Sequence, residues 1–137
     1  MTRINVVPAP ELSDAWLLAE YRELPRVLKQ PVHVTDAPAR YQLGTGHVKW
    51  ARKHGVFVCK RMDQLVQEMC YRGFCPTYTR GLRAFLTPEM LDYTVTAQDL
   101  QLNRARLKHK YQLRPHVHVW TRRIKPTYLR ETFSSNF

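Results

Sequence analysis

Leu17, Leu18, Tyr21, Leu24 and Leu28 recur at three- and four-residue spacing, and no other stretch of the 137-residue chain constrains the fold as strongly. At 100° per residue these side chains gather on one side of a helix, and that side must be covered by other elements. A helix is predicted from Glu11 to Leu28, with Ser13 as its N-cap. Lys29 to Gly46, holding Pro31, Pro38, Gly44 and Gly46, reads as loop. A second helix is predicted from Val56 to Arg72. Its apolar stripe is Val58, Met62, Leu65, Val66 and Met69, and Gly73 is its stop. Residues 74–96 are turn-rich. A third helix is predicted from Ala97 to Gln112, capped by Thr96 and ending before Pro115. The alternation in HVHVW (residues 116–120) is compatible with a short strand. No internal repeat or low-complexity segment interrupts the pattern. The fold expected is all-α: one domain over residues 1–137, of about three helices joined by long loops.

The other side of the first helix is different in kind. Arg22, Glu23 and Arg26 fall within about 100° of one another, opposite the leucines, and Ala15 and Ala19 share their face. An ordinary solvated face with weak i,i+4 pairs is one reading. A shallow floor open to a ligand is the other. Pro25 favours the second. Inside a helix it gives the Tyr21 carbonyl no N–H and costs about 3 kcal/mol, so a kink is expected beside Arg22 and Glu23.

Charge narrows the function. The chain carries 22 Lys and Arg against 11 Asp and Glu, a net +11. Residues 100–137 hold nine of those basic residues and one acid, Glu131. Such one-sided charge points to a polyanion, nucleic acid ahead of an anionic membrane surface, with a solubilising surface as the alternative. There is no run of eighteen apolar residues and no signal-peptide pattern, so a soluble intracellular protein is expected. Cys59, Cys70 and Cys75 form no C-x-x-C pair, which argues against a disulfide framework, a zinc knuckle or a four-cysteine cluster; reduced core thiols are expected. The histidines outside GTGHV show no metal spacing.

MTRIN, LAEYRELPRV, LGTGHV, RGF and ARL…K…RP together resemble the phage-type pyrimidine-dimer DNA glycosylase/AP lyase family, also called endonuclease V of the UV-damage type. The match is near-continuous over residues 1–28, fair over 43–74 and patchy from 97 to 115. The resemblance implies an all-α repair enzyme with no metal and no cofactor. It excises UV-induced cyclobutane pyrimidine dimers from double-stranded DNA and nicks the strand by β-elimination. Its nucleophile would be the α-amine of Thr2, exposed on removal of Met1, with Glu23 as the catalytic carboxylate. Chemistry agrees: an α-amine of pKa about 7.7–8.0 is roughly a third free base near pH 7.5, against about a tenth of a per cent for lysine. Arg3, Arg22 and Arg26 would hold phosphates at the lesion. Arg106 and Lys110 in the ARLxxK pattern, with Arg114 before its proline, would form a basic DNA-binding stripe. His47 of the G-x-G-H-V turn would contact lesion or backbone, or cap the segment after it.

The chain departs from the family in three places. Its loop before GTGHV is shorter, Trp16 replaces a histidine of better-known members, and the aromatic tail has become HVHVWTRR. Lesion specificity is therefore the least transferable feature, although Trp120, Tyr128 and Phe133 offer replacement stacking. The alternatives are a lyase or glycosylase for other base lesions and a non-catalytic basic nucleic-acid-binding module. A monomer is expected, cytoplasmic in a bacterial or phage-infected cell, nucleoid-associated through DNA, and without a membrane partner.

Overall fold

A computed structural model of the chain describes residues 4–29, 36–77 and 81–130. Five helices stand among them: α1 (Asp14–Lys29), α2 (His47–Lys53), α3 (Gly55–Tyr71), α4 (Ala97–Leu113) and the short α5 (Thr127–Arg130). Where three were expected, α2 and α5 are additional. No strand occurs among the described residues, so the all-α class is as expected. No helix among them is long and apolar enough to cross a membrane.

Ser13 does cap α1. Its Oγ accepts the Trp16 N–H at 3.2 Å, and its carbonyl accepts the Leu17 N–H at 2.9 Å. The helix therefore begins at Asp14, three residues later than predicted, because Glu11 ends a separate 3-10 turn, Ala9–Glu11. Leu17, Leu24 and Leu28 are buried, as the spacing required. Pro25 is buried inside the helix, which continues past it to Lys29.

Helix α2 ends at Lys53 and α3 begins at Gly55, separated only by His54 at φ −107° and ψ 48°. The loop through Leu91 stitches this break. The Leu91 N–H donates to the Lys53 carbonyl at 2.8 Å, and its own carbonyl accepts the Val56 N–H at 3.2 Å. Gly55 permits that approach, since a Cβ there would lie 2.4 Å from the Met90 sulfur. On α2, Trp50 is fully buried among Tyr41, Tyr93 and Phe57, at centroid distances of 4.9, 5.1 and 5.7 Å.

Both remaining helix signals operate. Gly73, at φ +92°, donates to the Cys70 carbonyl, and Phe74 donates to that of Met69, which closes α3. Thr96 and Asp99 form a reciprocal capping box at α4. HVHVW is not a strand: Pro115–Val117 is a 3-10 turn, and the Val119 carbonyl accepts the Asp14 N–H at 2.8 Å. The partner of this segment is a helix N-terminus. Only Cys59 is a core thiol; Cys70 and Cys75 are exposed, on the last turn of α3 and just beyond it.

The packing of α1, α3 and α4 converges on residues 4–7, all buried. α4 buries Asp99, Asn103 and Leu107 at four-residue spacing, a largely polar stripe. Asn103 Oδ1 accepts the N–H groups of Val6 and Val7 at 2.7 and 3.1 Å, and its amide donates to Asn5 at 2.8 Å. Asn5 donates to Glu20 at 2.9 Å. Glu20 pairs with Arg61 (Nε to Oε2, 2.8 Å), their side chains 1% and 2% exposed, and Arg61 also donates to the Val7 carbonyl at 2.6 Å.

A buried pair that loses one member leaves the other charge without compensation. Glu20→Ala is therefore expected to lower unfolding free energy by about 3–5 kcal/mol in urea titration. The double variant Glu20→Leu/Arg61→Met should lose much less. A single variant as stable as the parent would remove this pair from the centre of the fold.

Candidate nucleic-acid interface

One side of α1 faces solvent. Ala15, Ala19, Arg22 and Arg26 are exposed and Glu23 is half-covered, so the polar face expected from helical phase is formed. Arg26 and Glu23 approach to 3.9 Å, with side chains 73% and 22% exposed. An exposed pair adds at most about 1 kcal/mol, so it holds neither group firmly. Thr2 and Arg3, also expected at the site, lie outside the described residues. Ile4, two residues on from Thr2, is fully buried. Its N–H donates to His47 Nε2, and its carbonyl accepts from the Tyr41 hydroxyl, each at 3.1 Å.

His47 is thus not a surface contact for DNA. It is 1% exposed, and its other ring nitrogen lies 2.8 Å from the Gln42 carbonyl. Gly44 and Gly46 before it, at φ +72° and +91°, make the turn that sends the ring inward.

On α4, Arg106 and Lys110 are half-buried, and Arg114, just past the helix end, is exposed. Burial first, and Arg106 second, press the Lys110 ammonium below its ordinary pKa. His118 is lowered in the same way, by burial and then by Lys110, Arg114 and His116. The charged neighbours that press on these two groups, Arg106, Lys110, Arg114 and His116, are all basic. Cations crowded in this manner favour an incoming polyanion.

His118 joins this cluster to α1. Its ring lies 4.3 Å from that of Trp16, and its Nδ1 lies 2.8 Å from Ser13 Oγ. Trp16 is buried and packs against this imidazole from the tail. Trp120 completes the cluster 6.3 Å away, its indole donating to the Glu11 carbonyl at 2.9 Å. Tyr128 is half-buried, and Phe133 lies outside the described residues. The charged face of α1 begins about 10 Å along the helix from Ala15, at 1.5 Å per residue.

His118 and the Glu20–Arg61 pair were missing from the sequence expectation. A signal existed for the pair: Glu20 stands four residues before Leu24, and Arg61 lies between Val58 and Leu65, both on apolar stripes. His118 had none, because its partner Ser13 is 105 residues away. A cavity of about 720 Å³ lies elsewhere, between Val6, Pro8, Phe57, Tyr71 and Leu100, and none of the expected site residues among those described line it. Among the described residues, no cluster of three or more His, Cys, Asp or Glu side chains is placed to hold a metal ion.

These features define an all-α protein whose cationic surface, with one carboxylate set in it, suits nucleic acid. The model of the pyrimidine dimer DNA glycosylase family matches residues 1–80, more than half of the chain. The chain belongs to that family. By class it is a DNA-repair glycosylase with damaged DNA as substrate. Arg22, Glu23 and Arg26 lie inside the matched span, whereas Arg106, Lys110 and Arg114 lie beyond it.

Docking of the tail depends on ionised carboxylates. Asp14 accepts from the Thr121 hydroxyl at 2.6 Å and from Arg72 at 2.8 Å. Glu68 meets Arg72 and Arg123, each at 2.8 Å. Burial raises both carboxyl pKa values, but these hydrogen bonds outweigh it, and each sits below its ordinary 3.8 or 4.5. A lowered carboxyl stabilises the fold above its unfolded pKa, and that contribution is lost as pH falls through the folded value. The lowered His118 works in the same direction, since the unfolded chain takes up its proton first. Trp fluorescence is therefore expected to report release of the tail as pH drops below about 4.5. In Asp14→Asn the transition should be shallower; an unchanged profile would count against this account.

Proposed function

We propose that the protein is a bifunctional enzyme, a pyrimidine-dimer glycosylase with AP lyase activity, working through an imine on the α-amine of Thr2. The observation that carries this reading is the half-covered carboxylate of Glu23, set between Arg22 and Arg26 on the open face of α1. A binding module gains nothing from a carboxylate set among its phosphate contacts.

The free amine attacks C1′ of the damaged nucleotide. The N–C1′ bond forms as the glycosidic bond breaks, and the departing base keeps the electron pair and takes a proton. The sugar ring opens to the protonated imine, whose positive charge Glu23 stabilises. Loss of the C2′ proton, assisted by Glu23, expels the 3′ phosphate by β-elimination, and water then releases the amine. Arg22 and Arg26, with Arg3, hold phosphates on either side, a task suited to a planar guanidinium. Arg106, Lys110 and Arg114 hold the duplex farther along, which must kink or extrude a nucleotide to expose C1′. The enzyme acts as a monomer on cytoplasmic, nucleoid DNA. A second reading keeps the lyase chemistry but moves the lesion to other damaged bases. It is favoured by the packing of Trp16 and Trp120 against His118, which leaves the altered tail with less aromatic surface for a dimer.

Borohydride should trap a covalent protein–DNA adduct with dimer-containing and with abasic duplex. An adduct with abasic DNA alone selects the second reading, and none with either ends both. Glu23→Gln should retain damaged-duplex affinity within a few-fold while turnover falls by about 10²–10⁴. Affinity should drop steeply with salt, and each of Arg106→Gln, Lys110→Gln and Arg114→Gln should flatten the log–log slope by about one. Because phosphate favours the charged form of His118, which burial and its neighbouring cations disfavour, binding near pH 6.5 should take up protons, measurable as buffer-dependent heats.

A further inference from the structure

We infer that His47 and Tyr41 are positioning residues for the nucleophilic amine: they grip the N–H and the carbonyl of Ile4, and so fix the reach and register of the chain start. The inference rests on the imine reading above.

The two contacts act on the two polar groups of one residue. The Ile4 N–H donates to His47 Nε2, and the Ile4 carbonyl accepts from the Tyr41 hydroxyl, both at 3.1 Å and both buried. The Gln42 carbonyl can only accept and an amide N–H can only donate. His47 must therefore be the neutral tautomer with its proton on Nδ1. No other arrangement of that ring serves both partners. The turn behind it is equally constrained. A Cβ on Gly46 would lie 2.5 Å from Gln42 Nε2, which itself donates to the Thr45 carbonyl at 2.6 Å. The G-T-G-H sequence is thus a device for aiming one imidazole at one backbone amide.

Burying a segment that is neither helix nor strand does not by itself demand this. A neighbouring strand would satisfy its backbone generically, and a ladder tolerates slippage where side chains do not forbid it. Here five backbone groups of residues 4–7 are met by side chains from separate elements: His47, Tyr41, Asn103 twice, and Arg61. A slip of one residue forfeits all five. Register is therefore set to the residue, and from the fixed Ile4 the amine of Thr2 has at most about 7 Å of reach. Nucleophilic attack is sensitive at this scale, since a 1 Å misplacement can cost about a hundredfold in rate.

The test is single-turnover borohydride trapping on abasic duplex, with duplex affinity and thermal stability measured alongside. One Gly inserted between Thr2 and Arg3 leaves the grip, the register of Arg3 and Thr2 itself intact but moves the amine by about 3.6 Å. Trapping should fall at least a hundredfold while affinity and melting hold. An insertion variant that traps within threefold of the parent overturns the inference. His47→Leu, which removes the acceptor, should slow trapping about tenfold at unchanged affinity and expose the Ile4 amide to hydrogen exchange. His47→Gln, which keeps an acceptor, should recover most of the rate. Equal loss in both, or loss of rate and affinity together, would make the role merely structural. Tyr41→Phe removes one hydroxyl and keeps the ring, so it reports even if the His47 variants fail to fold; about threefold slower trapping is expected, and no change counts against the grip. If the parent forms no adduct, the imine reading fails and the inference with it. A parent adduct with an insensitive insertion variant overturns the inference alone.

Discussion

Glu20 and Arg61 are both essentially removed from solvent and face each other at 2.8 Å between α1 and α3. Charges at that depth are tolerated only when their remaining hydrogen-bonding capacity is filled, and the way it is filled dictates much of the architecture. Glu20 takes the Asn5 amide, and Arg61 reaches the Val7 carbonyl, so the pair requires residues 5–7 to lie along it. That segment has no strand to pair with among the described residues, and its remaining N–H groups need acceptors of their own. Asn103 supplies them, which is why α4 presents a polar buried stripe where an apolar one would be usual. Three helices are thereby tied to one short segment whose start leads directly to Arg3 and Thr2.

Features encoded over a few residues were legible in the sequence. Ser13, Gly73 and the Thr96–Asp99 box mark helix ends through bonds made within three to five residues, and all three operate. Helix phase alone put Arg22, Glu23 and Arg26 on one exposed face with Ala15 and Ala19. What escaped depends on partners far away in the chain. Helix α2 spans only 7 residues, four of them His, Lys or Arg, too short to show a period of its own, and it is held by the aromatic cage around Trp50. HVHVW alternates like a strand because His118 turns inward to Ser13 while Val119 lies 60% exposed. Its partner is a helix end, and alternation carries no information on that. His47 was legible as a residue that matters but not as a buried one, since only the fold shows which amide it accepts from.

The distribution of carboxylates explains how a chain with a net charge of +11 keeps both an ordered core and an open cationic surface. Glu11, Asp14, Glu20, Asp63, Glu68 and Asp92 each engage a basic side chain at 2.5–3.2 Å. Asp99 instead serves the capping box of α4 and the Tyr93 hydroxyl. Most of the acidic groups thus hold elements together, and the basic residues they leave over include Arg22, Lys110 and Arg114. Glu23 stands apart: its separation from Arg26, 3.9 Å, is the longest among the described ion pairs. A carboxylate locked into a guanidinium would have to break that contact before it could meet a cation formed transiently on a sugar. Glu23 is loosely held, partly covered and flanked by arginines. That combination suits a carboxylate whose partner exists only during the reaction. With the buried ion pairs in the core and at the tail, and the weak one on the open face of α1, the chemistry proposed for that face would draw on none of the contacts that hold the fold together.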